Sequence, residues 1–128
     1  MGNNEERGVQ STEWDVLEVL WDLERATAPE VASALEERRG WAYSTVKTML
    51  DRMVKKELVV GRRVGNVWEY RAAMPREEAQ RSAWRHFVGT VFDGAMAPAL
   101  RFLATDANLT RRQREQLAKL LEEEEQDV

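Results

Sequence analysis

The chain has 128 residues, 33% charged and 43% hydrophobic, proportions that suit one globular domain or two small units sharing a core. No apolar run approaches the roughly 20 residues of a membrane span. The polar start Met1-Gly2-Asn3-Asn4-Glu5-Glu6 resembles neither a secretory nor a myristoylation signal, and zero Cys excludes disulfides, thiol catalysis and thiolate metal sites. The net charge of −4 is unevenly spread, with −8 over residues 1–37, +6 over residues 38–71 and −2 over residues 72–128. A basic block between acidic ones points to a local polyanion footprint.

A first helix is expected to start near Ser11 or Thr12, either of which can cap it, with Glu13 and Asp15 favourable in its first turn. Trp14, Leu17 and Trp21 form one apolar row and Val16, Leu20 and Leu23 the next. A second helix starts at the capping box Thr27-Ala28-Pro29-Glu30, turns Ala28, Val31, Ala32 and Leu35 inward, and stops at Gly40. The third helix runs from about Ala42–Ser44 to Glu57. Val46, Met49, Leu50, Met53 and Val54 recur on its core face, whereas Thr45, Thr48, Arg52 and Lys55 lie on another. That second face is short and polar first, then basic. It suits a major groove, where the small hydroxyls of Thr45 and Thr48 and the ammonium of Lys47 approach base edges and Arg52 and Lys55 reach phosphates. A solvated helix face is the plain alternative.

Residues 58–63 and 67–71 read as two strands around a turn at Gly65 and Asn66, both tolerant of positive φ. Trp68 and Tyr70 share a strand face suited to packing on the helices, and Arg62, Arg63 and Asn66 lie at or beside the tip. Three helices followed by a basic-tipped hairpin is the order of a winged helix-turn-helix. The fold class expected is therefore mainly α with a small β-hairpin wing, followed by a helical dimerisation unit.

Pro75 marks a boundary. Beyond it a helix over residues 77–92 carries Trp84, Phe87, Val88 and Val91 on one stripe, and Gly94 and Pro98 punctuate it. A short helix follows through Leu100, Phe102 and Leu103. The capping box Thr110-Arg111-Arg112-Gln113 opens a last helix with Leu117, Leu120 and Leu121, and the acidic run Glu122–Glu125 makes a solvated or frayed end. These helices are too few and short to bury their stripes alone, so they pack back on the first unit or pair with a second chain. A homodimer matches two half-sites one turn apart. The domains expected are 9–74 for DNA binding and 75–123 for dimerisation, with polar tails at 1–8 and 124–128. The single histidine, His86, has no nucleophile at a telling spacing, the seven glycines form no phosphate loop, and neither an enzyme nor a cofactor is indicated.

Several segments together resemble the penicillinase-repressor (BlaI/MecI-type) family of bacterial transcriptional regulators. They are Thr12-Glu13-Trp14-Asp15-Val16-Leu17 with Leu20-Trp21, Thr45-Val46-Lys47-Thr48-Met49-Leu50-Asp51-Arg52, Lys55-Lys56-Glu57-Leu58, and Tyr70 closing the wing. The resemblance implies a cytoplasmic homodimer that binds a palindromic operator of double-stranded DNA and represses resistance genes and its own operon. It implies that Ser44, Thr45, Lys47 and Thr48 face the operator and that Arg52, Arg62 and Arg63 hold its backbone. Such repressors are relieved by a membrane sensor-protease. Here Phe102 and Leu103 stand where the family has Asn-Phe, and the asparagine is absent. The family's copper-responsive branch uses cysteines, which this chain lacks. Two rival readings remain at this stage, a winged-helix protein-interaction module and a small-molecule-responsive regulator whose pocket is lined by tryptophan.

Overall fold

The computed structural model describes residues 9–126, with side chains to residue 123. The expected tail at 1–8 lies outside the described residues, as do the side chains of the tail at 124–128. In chain order the elements are α1 (Ser11–Leu23), β1 (Ala26–Thr27), α2 (Ala28–Arg39), α3 (Tyr43–Lys55), β2 (Val59–Val64), β3 (Val67–Ala72), α4 (Arg76–Val91), α5 (Met96–Thr105) and α6 (Arg111–Gln126). They fall into two compact units, the first ending at Trp84 and the second beginning at Arg85. Among the described residues, no single helix is long and apolar enough to cross a membrane.

In the first unit, α1, α2, α3 and the sheet enclose one core. Val16, Leu17 and Leu20 of α1, Val31 and Leu35 of α2, and Val46, Leu50 and Met53 of α3 are fully buried. Val59 and Tyr70 close it from the sheet. Truncating a side chain so enclosed, as in Leu50→Ala, costs about 2–5 kcal/mol. Leu23 and Val54, expected on inner faces, are instead 48% and 37% exposed. Each lies on the last turn of its helix, where the chain is already leaving the core. Trp14 and Trp21 pack against the rim of the core as a tilted pair, their rings 5.7 Å apart.

Local chemistry sets most boundaries. The cap of α1 is Gln10 rather than Ser11 or Thr12, and the Gln10 amide donates to Glu13 Oε1 at 2.9 Å. The second capping box forms as expected, with Thr27 Oγ1 accepting from the Glu30 amide at 3.3 Å and Glu30 Oε1 accepting from the Thr27 amide at 2.8 Å. Gly40, at φ 64°, ends α2 in the left-handed conformation. Glu57 takes the same region at φ 64° after α3, letting the Leu58 amide reach the Met53 carbonyl at 2.9 Å and turning the chain into β2.

The sheet has the order β1-β3-β2, all neighbours antiparallel. β1, absent from the sequence-based reading, pairs Ala26 with Tyr70 and Thr27 with Glu69. The hairpin pairs Val64 with Val67 around a two-residue turn, in which Gly65 adopts φ 64° and Asn66 does not take a positive φ. Tyr70 is buried as expected, but Trp68 is 46% exposed, because it lies two residues nearer the tip than the core extends. At the base of the sheet, Trp21 Nε1 donates to the Met74 carbonyl at 2.9 Å. Arg76 stacks over the Trp21 ring at 5.2 Å and pairs with Glu18 at 2.7 Å, which anchors the start of α4 to α1.

The second unit contains the end of α4, α5 and α6. Phe87, Phe92 and Phe102 form a chain of ring contacts with spacings of 5.6 and 5.5 Å. Val88 and Ala99 are buried, whereas Phe87, Val91, Leu100 and Phe102 are about half exposed. The capping box at α6 forms, with the Thr110 amide donating to Gln113 Oε1 at 2.9 Å and the Gln113 amide to Thr110 Oγ1 at 3.1 Å. The backbone of α6 continues to Gln126, so the acidic run stays helical, and the side chains of Glu122 and Glu123 are exposed.

Candidate nucleic-acid interface

The two faces of α3 have opposite fates. Val46, Met49, Leu50 and Met53 are buried, while Ser44, Thr45, Thr48, Arg52 and Lys55 are exposed. The apolar residues recur every three or four positions, so burying them fixes the polar residues outward. The Thr48 hydroxyl donates to the Ser44 carbonyl at 2.9 Å, so its oxygen is left to offer an acceptor. Arg52 and Lys55 have no side-chain partner among the described residues. Ala42 at the N-cap supplies no side-chain acceptor, which leaves first-turn amides of α3 as free donors.

Lys47 is placed differently from its neighbours. Its Nζ donates to Asp51 Oδ1 at 2.7 Å and to the Tyr70 hydroxyl at 3.0 Å, and lies 5.6 Å from the centroid of the Tyr70 ring. The hydrogen bond to Asp51, followed by the one to Tyr70, raises its pKa above the ordinary lysine value of 10.5. Lys47 is therefore a fixed cation between α3 and β3, while the other sequence-predicted residues of this helix project into solvent.

The wing separates its two arginines. The register sets Arg62 opposite Glu69 and Arg63 opposite Trp68, so successive side chains leave on opposite faces. Arg62 lies 3.5 Å from Glu69 on the outer face. Arg63, on the face shared with Tyr70, donates from Nε to the Gly65 carbonyl at 3.2 Å. Asn66 is exposed at the turn.

Two groups beside this surface escaped the sequence-based reading. Tyr43, 51% exposed, opens α3 directly before Ser44 and Thr45, and its adjacency to that hydroxyl pair was the available signal. Lys56, just past α3, donates to both carboxylate oxygens of Glu13 at 2.8 and 3.0 Å. Glu13 is only 2% exposed, so this buried pair ties the end of α3 to the start of α1. Forty-three positions separate the two residues, and no local pattern announces their pairing.

Comparison with known proteins agrees with this geometry. The family model described as penicillinase repressor matches residues 9–123. An uncharacterized 16.5 kDa protein from Latilactobacillus sakei is 31% identical over 75 residues, covering 59% of this chain and 51%, about half, of its own length. A penicillinase repressor from Staphylococcus aureus is 20% identical, with 92% of this chain and 94% of that one covered. The solution structure of the DNA-binding domain of the repressor BlaI superposes with a TM-score of 0.50 at 25% identity, over 56% of this chain and 88% of that one. With nearly the whole described chain matched by the family model, and a winged helix where that family carries one, the chain belongs to the penicillinase repressor family of DNA-binding transcriptional regulators.

Proposed function

We propose that the chain represses transcription by binding a palindromic operator as a homodimer, with residues 9–74 reading DNA and residues 75–123 supplying the dimer contacts. The observation that carries this reading is α3. Its apolar face is sealed in the core, while Ser44, Thr45, Thr48, Arg52 and Lys55 stand together in solvent beside a basic wing. Small hydroxyls near the N-terminal end fit base edges, and the arginine and lysine further along fit phosphates. Arg62, Arg63 and Asn66 extend the backbone contacts from the wing. Lys47 contributes its charge from the junction of helix and sheet, and reaching a base would require it to leave Asp51 and Tyr70.

Dimerisation accounts for the apolar surface along residues 75–123. Trp84, Phe87, Val91 and Leu100 are 43–57% exposed, and Leu120 and Leu121 are 58% and 62% exposed, with Val88, Leu103 and Leu117 more covered. Apolar surface of this extent on short helices is characteristic of an interaction face. Two copies joined there would set two α3 helices in successive major grooves. Induction by a membrane sensor-protease is carried by the family resemblance. The bond between Phe102 and Leu103 lies inside α5, so cleavage there requires that helix to open.

The test is selection of the purified protein against a random duplex library at near-physiological salt, with sequencing of the retained fraction. A two-fold symmetric consensus is the expected result. Retention without a consensus would remove the base-reading roles of Thr45 and Thr48. Absence of retention would leave an interaction module as the better reading.

A further inference from the structure

The outer face of the sheet carries a feature that the operator reading uses only at Arg62. Alternation along β3 sends Tyr70 into the core and Glu69 and Arg71 outward. The register places Val60 opposite Arg71 and Arg62 opposite Glu69 on that same outer face. Ala26 pairs with Tyr70, so the residue before it, Arg25, stands across from Arg71 on the other flank of β3. Arg25, Val60, Gly61, Arg62, Glu69, Tyr70 and Arg71 line a single depression of about 270 Å3.

Its charges are not balanced internally. Three guanidinium groups meet one carboxylate, and Glu69 is already engaged by Arg62 at 3.5 Å. Arg25 and Arg71 have no side-chain partner among the described residues. Arg25, one residue before β1, and Arg71 are thus like charges brought to one side of the sheet, an unfavourable juxtaposition that an anion seated between them would relieve. Guanidinium groups match the oxygens of phosphate in pairs, with planar forks of donors. The remaining lining residues, Val60, Gly61 and Tyr70, supply no competing acid.

We propose that this depression is a phosphate-binding site, in which Arg25 and Arg71 clamp one phosphate group and Arg62 closes it from the wing. The phosphate belongs either to operator DNA flanking the groove read by α3 or to a free phosphorylated ligand. In both cases the same three arginines hold it. Arg62 is shared with the wing, so a free phosphate ligand seated here would compete with its hold on the DNA backbone.

The experiment compares the full chain with an Arg25→Gln/Arg71→Gln variant, both substitutions lying on exposed positions outside the core. One arm measures binding to a duplex limited to the selected site and to one extended by a helical turn at each end, across a salt series. The other titrates inorganic phosphate and pyrophosphate at constant ionic strength and follows arginine side-chain Nε–H resonances. If the source is DNA, the variant forfeits the affinity that the longer duplex adds. Its salt slope then falls by about one, at roughly 0.9 for the single phosphate left unneutralised. If the source is free, arginine resonances of the wild type shift saturably and those remaining in the variant do not. Unchanged long-duplex binding together with no saturable shift overturns the site. Failure of the wild type to bind either duplex would count against the repressor reading, and the phosphate arm would then decide the depression by itself.

Discussion

Replacing Lys56 with methionine removes one partner of the most enclosed ion pair among the described residues. Glu13 is 2% exposed and Lys56 12%, and the ammonium serves both carboxylate oxygens at 2.8 and 3.0 Å. After Lys56→Met, Glu13 keeps the Gln10 amide at 2.9 Å, one donor for a buried anion. Removing one member of a buried pair costs about 3–5 kcal/mol. The retained amide and the slight water access at Lys56 place this case near about 3 kcal/mol, a fall in Tm of about 10 °C for a chain of this size. Urea unfolding of wild type, Lys56→Met, Glu13→Leu and the double variant measures it as a cycle. The double variant is expected to recover most of the loss, because an apolar pair leaves no charge stranded. A cost below about 1 kcal/mol for Lys56→Met, the range of surface pairs, would refute the reasoning.

Other outcomes follow from the same geometry. Thr45→Ala is expected to change which operator base is preferred, by about 1–3 kcal/mol at one position, whereas Arg52→Gln weakens all sequences alike and flattens the salt dependence; binding across a set of single-base operator variants distinguishes them. Lys47→Met removes a cation whose folded pKa is raised. Its stabilising contribution is complete below the ordinary value of 10.5 and is lost as pH rises through the higher folded value. The stability difference from wild type should therefore be flat through neutral pH and shrink only under strong alkali, and a decline near neutrality would contradict the assignment. Thr27→Ala removes the cap of α2 and should cost about 1 kcal/mol in chemical denaturation. Leu120→Glu, on the exposed stripe of α6, should raise the dimer dissociation constant at least about tenfold in sedimentation, a loss of about 1–2 kcal/mol. An unchanged constant would move the interface elsewhere.

Much of this protein was legible from local pattern. Thr27, Pro29, Glu30 and Gly40 bracket α2 because caps act through the nearest amides and carbonyls. The spacing of Val46, Met49, Leu50 and Met53 identified the core face of α3, and with it the outward set at Thr45, Thr48, Arg52 and Lys55. Gly65 marked the hairpin turn, and Thr110 with Gln113 the start of α6. These features depend on residues within one turn or one strand of each other, where geometry follows from φ, ψ and periodicity.

Only the tertiary structure decided the rest, because the partners are distant in the chain. Two residues of β1 become a strand through pairing with β3, more than forty positions later. Glu13, which sequence alone reads as an ordinary first-turn acid, is buried because Lys56 arrives to neutralise it. Lys47 is held against β3 rather than projecting with Thr45 and Thr48 because Tyr70 offers it a hydroxyl acceptor and a ring face, and Trp68 stays in solvent because the core ends before it. Arg25 and Arg71, which look unrelated in sequence, face one depression once β1 docks on β3. Sequence periodicity thus determined which side chains each element turns outward, and strand register and helix docking decided which charges came to share a surface.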